Sequence, residues 1–312
     1  MSLTFTGGNH RTVPIELREK LAFSSEQATQ ALARFQKQFP GSEAVLLSTC
    51  NRIELYAADG ERRGPPPPDE LAIFLAECRG VDPTHVGRAL GGEQGTAAVQ
   101  HLFSVAAGLD SMVLGEPQIV AQVKQAWQLA QQSGTTGPLT GELFQAALRA
   151  AKRVTNETAV GRERLSIPSI AVADFASGVF ERFDDKRVLL IGAGKMAAET
   201  LRYLSDAGAR NIRIVNRSIE RAQELAERLD VHIGDYENLS QEIVEADLIV
   251  STTGATEPVV SLSLYQEVES QRRGRPLVIL DLAVPRDFDS QIGGRPGVWL
   301  YSIDDLSQAC DS

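Results

Sequence analysis

One short stretch limits the possible folds more than any other. The apolar run Val188–Ile191 leads directly into Gly192-Ala193-Gly194-Lys195-Met196-Ala197, and a helical pattern then occupies Ala198–Ala207. Strand, G-x-G-x-x-A turn and helix in that order form the first half of a dinucleotide-binding βαβ unit. Gly192 permits the tight turn, Gly194 lets a pyrophosphate approach the backbone, and Ala197 is small enough for close packing of a helix whose N-terminus faces the anion. Further apolar runs of strand length, Asn211–Val215, Asp247–Thr252 and Leu277–Leu282, alternate with helical patterns. The alternation predicts a parallel, doubly wound sheet with helices on both faces, a Rossmann-like domain spanning residues 166–301, with the helix Ile170–Phe183 beside it.

The end of the second strand tells the two common dinucleotides apart, because an acidic residue there binds a free ribose 2′-hydroxyl and repels a 2′-phosphate. This chain has Asn216-Arg217-Ser218 instead. A guanidinium fork and a serine hydroxyl suit the phosphate, so NADPH is expected over NADH. The alternative is a solvated Arg217 with Ser218 capping the helix Ile219–Leu229; the two roles are compatible. Ser251-Thr-Thr-Gly254 follows another strand, at the carboxyl edge where ligands of such sheets sit.

A chain of 312 residues exceeds what one hydrophobic core usually serves, so a second domain is expected, and residues 1–165 have a different texture. Strand-like Leu3–Phe5, Ala44–Leu47 and Ile53–Ala57 mix with helical segments near Glu16–Phe23 and Glu26–Gln38, the pattern of a small α+β unit. Pro65 to Pro68, inside Gly60–Asp69, predict an exposed loop or polyproline stretch, a dispensable insertion. From Gly95 to about Ser133 the pattern is helical, broken around Gly108–Pro117; Gly134–Gly141 separates it from a helix reaching to roughly Val160. Residues 302–312 open with Ser302 and Asp304 as candidate caps of a further helix.

No apolar stretch reaches 18 residues, and the N-terminus has neither a basic nor a long apolar region of the secretory kind, so a cytoplasmic location is expected. Cys50, Cys78 and Cys310 lie far apart without a CxxC pair, which supports neither a disulfide framework nor a metal site. The net charge of −10 argues against unspecific binding of a polyanion, but it is unevenly spread: residues 1–165 carry 16 basic and 17 acidic side chains, residues 166–312 carry 15 and 24. An RNA partner is therefore expected only on the first half. There, Arg149, Lys152, Arg153, Arg162 and Arg164 face only Glu157 and Glu163 over sixteen residues, as a solvated helix face or as a docking face.

The candidate reacting group is Cys50. In Leu47-Ser48-Thr49-Cys50-Asn51-Arg52-Ile53-Glu54 an apolar strand runs into polar side chains, which puts the thiol at a strand end or loop, where catalytic groups sit. A lone cysteine is most often a buried, inert small hydrophobe. Here the flanks are polar, Arg52 supplies positive charge that favours a thiolate, and a separate domain offers hydride to whatever the sulfur holds. Sulfur nucleophile plus hydride implies thioester reduction. His101 shares a helical face with Ala98, Leu102 and Val105, the setting of a core histidine, and His10 stands in a turn-like Gly8-Asn9-His10.

These residues carry a resemblance across nearly the whole chain. Gly8-Asn-His10, Ser48-Thr-Cys-Asn-Arg-Ile-Glu-Leu-Tyr56, Ala107-Gly-Leu-Asp-Ser-Met-Val-Leu-Gly-Glu-Pro-Gln-Ile119 with Gln122, Ala151-Lys-Arg-Val154, the turn at Gly192, Val215-Asn-Arg217 and Asp281-Leu-Ala-Val-Pro-Arg-Asp287 occur in order, and the chain resembles the glutamyl-tRNA reductase family. The resemblance implies an N-terminal catalytic domain that binds glutamyl-tRNA, an NADPH-binding Rossmann domain, and a spinal helix leading to a dimerisation domain; the chain stops at Ser312 as that helix should begin. It implies that Cys50 attacks the aminoacyl ester, that Thr49, Asn51 and Arg52 surround the glutamyl group with Arg52 pairing with its carboxylate, and that Ser111, Glu116, Pro117, Gln118 and Gln122 complete the pocket. His101 falls on a histidine important for activity. Glutamate-1-semialdehyde aminomutase, which takes the reactive product, is the implied partner. Two readings of another class stay open: an NADPH-dependent dehydrogenase of the shikimate dehydrogenase type, which would not need Cys50, and a non-catalytic dinucleotide-binding regulator. Thiol alkylation separates the first; loading with charged tRNA separates the second.

Overall fold

The computed structural model describes residues 2–59, 64–87, 89–160, 167–229 and 231–310. The chain divides into two compact units, Met1–Leu165 and Ser166–Ser312. The first is built on an antiparallel sheet of β1 (Ser2–Asn9), β2 (Ser42–Ser48), β3 (Arg52–Asp59) and β4 (Gly91–Gln94) in the order β2-β3-β1-β4. Around it lie α1 (Ile15–Leu21), α2 (Ser25–Gln38), α3 (Pro68–Arg79), α4 (Pro83–Val86), α5 (Thr96–Ala106), α6 (Pro117–Gln132) and α7 (Pro138–Glu157). Ser24 starts α2 with a capping box: its hydroxyl accepts from the Gln27 amide, and its own amide donates to the Gln27 side chain. Glu43 on β2 accepts from the Thr140 amide at 2.6 Å and the Leu139 amide at 3.2 Å, which ties the exposed amides of the α7 N-terminus to the sheet. Phe35, Leu46, Leu55, Phe74 and Phe144 belong to one continuous core.

Pro65 to Pro67 form an extended segment, as expected, but the stretch is not a dispensable insertion. Pro66 is buried, Pro67 caps α3, Pro68 is its first residue, and a Cβ on Gly92 of β4 would come within 2.2 Å of Pro68 Cβ. A proline at the first helical position loses no hydrogen bond and arrives with a helical φ, so the run seeds a helix and packs against a strand. Residues 60–63 of the same stretch lie outside the described residues.

The second unit holds six parallel strands, β5 (Arg187–Ile191), β6 (Asn211–Val215), β7 (His232–Ile233), β8 (Leu248–Ser251), β9 (Leu277–Asp281) and β10 (Val298–Ser302), in the order β10-β9-β8-β5-β6-β7. β5 has β6 on one side and β8 on the other, so the strand order reverses there and a crevice opens at its carboxyl end. This is the expected doubly wound sheet following an α+β unit. The edge strands β7 and β10 extend it beyond the four strands read from the sequence; β7 is only two exposed residues, and β10 is buried mainly at Val298. The remaining helices are α8 (Ile167–Ile170), α9 (Ser177–Val179), α10 (Lys195–Asp206), α11 (Ile219–Leu229), α12 (Leu239–Glu245), α13 (Leu262–Arg272) and α14 (Ile303–Cys310). The helix expected at Ile170–Phe183 begins at Ile167, ends at Val179, and carries the π segment Ala171–Ala176 between α8 and α9. Ser302 starts α14, its amide and hydroxyl both donating to Asp305 at 2.7 Å. No described helix is long and apolar enough to cross a membrane.

Candidate functional site

The Cys50 turn joins two of the most buried strands in the first unit. β2 pairs with β3 up to Ser48 against Ile53, and residues 49–51 make the reversal. The Thr49 amide donates to the Arg52 carbonyl at 2.9 Å, and the Thr49 hydroxyl accepts from the Asn51 and Arg52 amides at 3.2 Å each, a threonine-closed turn. Arg18, fully buried on α1, donates from Nε to the Cys50 carbonyl at 3.3 Å and from a terminal nitrogen to the Val13 carbonyl at 3.1 Å.

Alternation along β3 then places Arg52, Glu54 and Tyr56 on one face of the strand, all buried. The Arg52 guanidinium donates to Glu54 at 2.6 Å, to the Asp110 carboxylate at 3.1 Å and to the Asp110 carbonyl. Tyr56 donates to the other oxygen of Glu54 at 2.6 Å, and His101 Nε2 lies 3.0 Å from the first while its ring stacks on Phe5 at 3.9 Å. Asn9 donates to Asp110 at 3.1 Å, so the Gly8-Asn9-His10 segment serves to hold that carboxylate. Burial opposes the charge of Glu54, but Arg52, His101 and Tyr56 outweigh it and bring its pKa down to about 2. Arg52 is raised, since Glu54 and Asp110 more than offset its desolvation. Tyr56 is pushed well above its ordinary value by burial and then by Glu54. Glu54, His101 and Asp110 offer ligand atoms within 4.8 Å of one another, a spacing suited to a cation, and the Arg52 guanidinium already supplies positive charge to both carboxylates.

Thr49, Cys50, Asn51, Arg52, Ser111, Glu116 and Gln122, together with Met112 and Ile119, line one narrow cleft open to solvent, with closed space of about 10 Å³, the size of one water. Seven of the residues expected at the substrate thus share a cavity drawn from three segments of chain. Gln118 is half-buried on α6 outside this lining, and Pro117 is the first residue of α6, its side chain outside the described residues. His101 is also outside the lining and meets Glu54 behind it. Two polar atoms of the lining residues, Asn51 Oδ1 and Ser111 Oγ, are buried without a hydrogen-bond partner among the described residues, a demand that an entering polar group would meet.

The electrostatics of the thiol differ from the sequence expectation. Arg52 was to favour a thiolate and pair with the substrate carboxylate; in the structure its terminal nitrogens are committed to Glu54 and Asp110. Cys50 is partly exposed, yet burial, then the Glu116 carboxylate, push its thiol up to about 12, while Arg18 and Arg52 pull weakly the other way. In this arrangement the Cys50 side chain rests as a thiol. Sequence reasoning also gave no role to Glu54, Tyr56, Asp110 or Arg18; the Arg-Ile-Glu-Leu-Tyr alternation was the available signal for the first two.

In the second unit Gly192 has a φ of +109°, and a Cβ there would lie 3.0 Å from Thr252 Oγ1 and 3.1 Å from its carbonyl oxygen, so glycine is required. Gly194 caps α10 and a Cβ on it would meet nothing within 4 Å, which leaves the amides at the helix start open to a ligand; Ala193 lies in the turn, Lys195 and Met196 open the helix, and Ala197 is fully buried in its first turn. Thr252 Oγ1 is buried without a partner among the described residues. These features fit a dinucleotide pyrophosphate at the switch point. At the end of β6, Arg217 is exposed and Asn216 donates to the Ser218 carbonyl at 2.8 Å. Ser218, expected to donate to a 2′-phosphate, instead donates to Glu220 at 2.7 Å and accepts the Arg221 amide at 3.5 Å, because it caps the helix that follows. Arg217 is left as the group suited to that phosphate.

The family described as Glutamyl-tRNAGlu reductase, N-terminal domain, matches residues 6–158, and the family described as Shikimate / quinate 5-dehydrogenase matches residues 174–309. The glutamyl-tRNA reductase of Rhodopirellula baltica is 47% identical over 311 residues, covering 100% of this chain and 73% of that protein. That of Geobacillus kaustophilus is 40% identical over 307 residues, covering 98% of this chain and 67% of its own. The solved glutamyl-tRNA reductase from Methanopyrus kandleri is 33% identical, covers 99% of this chain and 73% of that chain, and superposes with a TM-score of 0.49.

Proposed function

Given that this chain belongs to the glutamyl-tRNA reductase family, we propose that it reduces glutamyl-tRNA(Glu) to glutamate-1-semialdehyde with NADPH through a thioester on Cys50, the first step of 5-aminolevulinate and porphyrin synthesis. The observation that carries this reading is the cleft in which Cys50 faces Thr49, Asn51, Ser111, Glu116 and Gln122, with two buried polar atoms awaiting a partner. The Cys50 sulfur attacks the ester carbonyl; a carbon–sulfur bond forms, the carbon–oxygen bond to the tRNA ribose breaks, and the thiol proton leaves with the ribose hydroxyl. Bound NADPH supplies the hydride that reduces the thioester carbonyl. Collapse of the resulting tetrahedral oxyanion breaks the carbon–sulfur bond and frees the aldehyde, and the Cys50 thiolate takes a proton from solvent to restore the thiol.

Glu116 has a part in timing. It is the largest charge effect holding the thiol protonated, and the glutamyl α-ammonium entering the same cleft neutralises it, which lowers the thiol's proton affinity once substrate is present. Thr49 and Arg18 keep the turn in place during the attack, and the Arg52–Glu54–Asp110 network fixes the wall behind it. Gly192 to Ala197 and Arg217 are assigned to NADPH.

The tRNA acceptor end is assigned to the first unit, whose charges nearly balance. Lys152 and Arg153 are exposed on α7; Arg153 is paired with Glu157 at 3.0 Å, and Arg162 and Arg164 lie outside the described residues. Homodimerisation and hand-over of the aldehyde to glutamate-1-semialdehyde aminomutase belong to the same reading. Incubation with glutamyl-tRNA, with and without NADPH, followed by intact-mass measurement tests it. A glutamyl adduct on Cys50 without NADPH, and aldehyde release with it, are expected; Cys50→Ser abolishes both, and full turnover by that variant refutes the assignment.

A further inference from the structure

The segment Asp281-Leu-Ala-Val-Pro-Arg-Asp287 has no part in the chemistry above, yet it contains two of the most buried carboxylates in the molecule, Asp281 at 1% and Asp287 at 0% exposure. Both lie at the carboxyl edge of the parallel sheet. Asp287 accepts from the Ser251 hydroxyl at 2.6 Å, from the Thr253 amide at 2.9 Å and from the Thr253 hydroxyl. Its side chain therefore grips residues 251–253 from both ends. Its own backbone is fixed in turn, since the Val260 amide donates to its carbonyl at 2.9 Å, and Asp281 accepts the neighbouring Phe288 amide at 2.9 Å.

Thr252 is the residue between the two gripped positions. Its amide donates to the Ile191 carbonyl at 2.9 Å, and its hydroxyl, close to Gly192, is buried with no partner among the described residues. Ile191 and Ser251 are paired across β5 and β8, the two strands between which the strand order reverses. A buried hydroxyl without a partner is uncommon and is resolved by a ligand or water. This one is held against the glycine turn by hydrogen bonds that converge on one carboxylate.

We propose that Asp287 is a positioning residue for the dinucleotide, holding residues 251–253 so that the Thr252 hydroxyl is presented to NADPH at the switch point between β5 and β8. The inference rests on the NADPH reading above. It makes Thr252 a binding group and Asp287 a residue acting through it, and it explains why a side chain so far along the sequence is buried against the end of β8. The buried charge has a use in this position: a carboxylate accepts three hydrogen bonds at once, whereas an asparagine side chain would turn an amine toward at least one of those donors.

The test compares the wild-type chain with Thr252→Val, Asp287→Asn and the double variant, reading NADPH dissociation constants by fluorescence titration, thermal unfolding midpoints, and Cys50 acylation by glutamyl-tRNA without NADPH. Thr252→Val is expected to weaken NADPH binding about tenfold, the size of one hydrogen bond lost from a buried site, with an unfolding midpoint unchanged or raised, because the hydroxyl it removes has no partner among the described residues. Asp287→Asn is expected to weaken binding by at least as much, and the double variant no further, since the two act through one contact. Acylation reports on the first unit alone. Unchanged NADPH affinity in Thr252→Val overturns the proposal whether or not Asp287→Asn folds, and additive losses in the double variant overturn the link between the two residues. A wild-type chain that acylates Cys50 but does not bind NADPH overturns the cofactor reading itself.

Discussion

Glu54 in the first unit and Asp281 in the second are equally hidden, each 1% exposed, and they titrate in opposite directions: Glu54 falls to about 2 and Asp281 rises to about 7. Burial raises both. What differs is the company. Glu54 has the Arg52 guanidinium at 2.6 Å and His101 at 3.0 Å, while Asp281 accepts from the backbone amides of Ala283 and Phe288 and lies within the field of a second carboxylate, Asp287. Neutral donors do not replace a counter-charge. The first unit thus carries a fixed ion pair next to the Cys50 turn, and the second carries a carboxylate that exchanges its proton near neutrality at the carboxyl end of β9.

The comparison breaks most readily at Glu54. Glu54→Gln leaves Arg52 buried without its main anion and is expected to destabilise the first unit by roughly 3–5 kcal/mol, measured by denaturant unfolding; a loss under ~1 kcal/mol would mean Asp110 alone compensates Arg52. The next largest effect is the response to pH. Because the folded pKa of Glu54 is depressed, its contribution is present above its unfolded value near 4.5 and disappears as pH falls toward 2. Because that of Asp281 is raised, its contribution is present below about 3.8 and is lost as pH climbs through about 7. At about 1.4 kcal/mol for each tenfold change in proton affinity, each amounts to a few kcal/mol, of opposite sign. Hydrogen exchange resolved by peptide, from pH 4 to 8, should show β9 amides losing protection with rising pH while β3 amides do not.

Asp281→Asn sharpens the same point with a smaller change: the slope between pH 4 and 7 should shrink in the second unit to what the raised Asp287 still contributes, with a net stability change at pH 7 of about 1–2 kcal/mol or less, since the loss of a hydrogen-bond acceptor offsets the relief from burying charge. The smallest effect concerns surface charge, near balance in the first half and acidic in the second. Lys152→Glu should weaken glutamyl-tRNA binding several-fold and flatten its salt dependence by about one ion, while NADPH binding stays as it was; Arg153→Glu should do less, because its charge is already spent on Glu157. Equal losses for both ligands would remove α7 from the docking surface.

What could be read from the sequence follows the range of the interactions. The turn at Gly192 was legible because strand, glycines and helix are contiguous, and the Cys50 loop because a polar cluster ends an apolar strand. The partners of Arg52 were not: Glu54 is two residues away, visible only to someone counting alternate positions, and Asp110 is 58 residues away across a turn that no periodicity marks. The same holds for Asp287, whose hydroxyl partners precede it by more than thirty residues. Pro65 to Pro67 do form the extended stretch a proline run suggests, while the burial of Pro66 and the start of α3 at Pro68 depend on packing that the run itself does not announce. For Ser218 the capping alternative read from the sequence is the one its hydrogen bonds show.

The three-residue reversal carrying Cys50 is closed by one threonine hydroxyl, held from beneath by Arg18 and continued on both sides by paired strands. A sulfur mounted this way has little freedom to seek its target, so the acyl group must be brought to it in the correct pose. Discrimination between glutamate and its isostere glutamine, which differ in charge and hydrogen-bonding pattern rather than in shape, then falls on the polar groups fixed around the loop and not on adjustment of the loop itself.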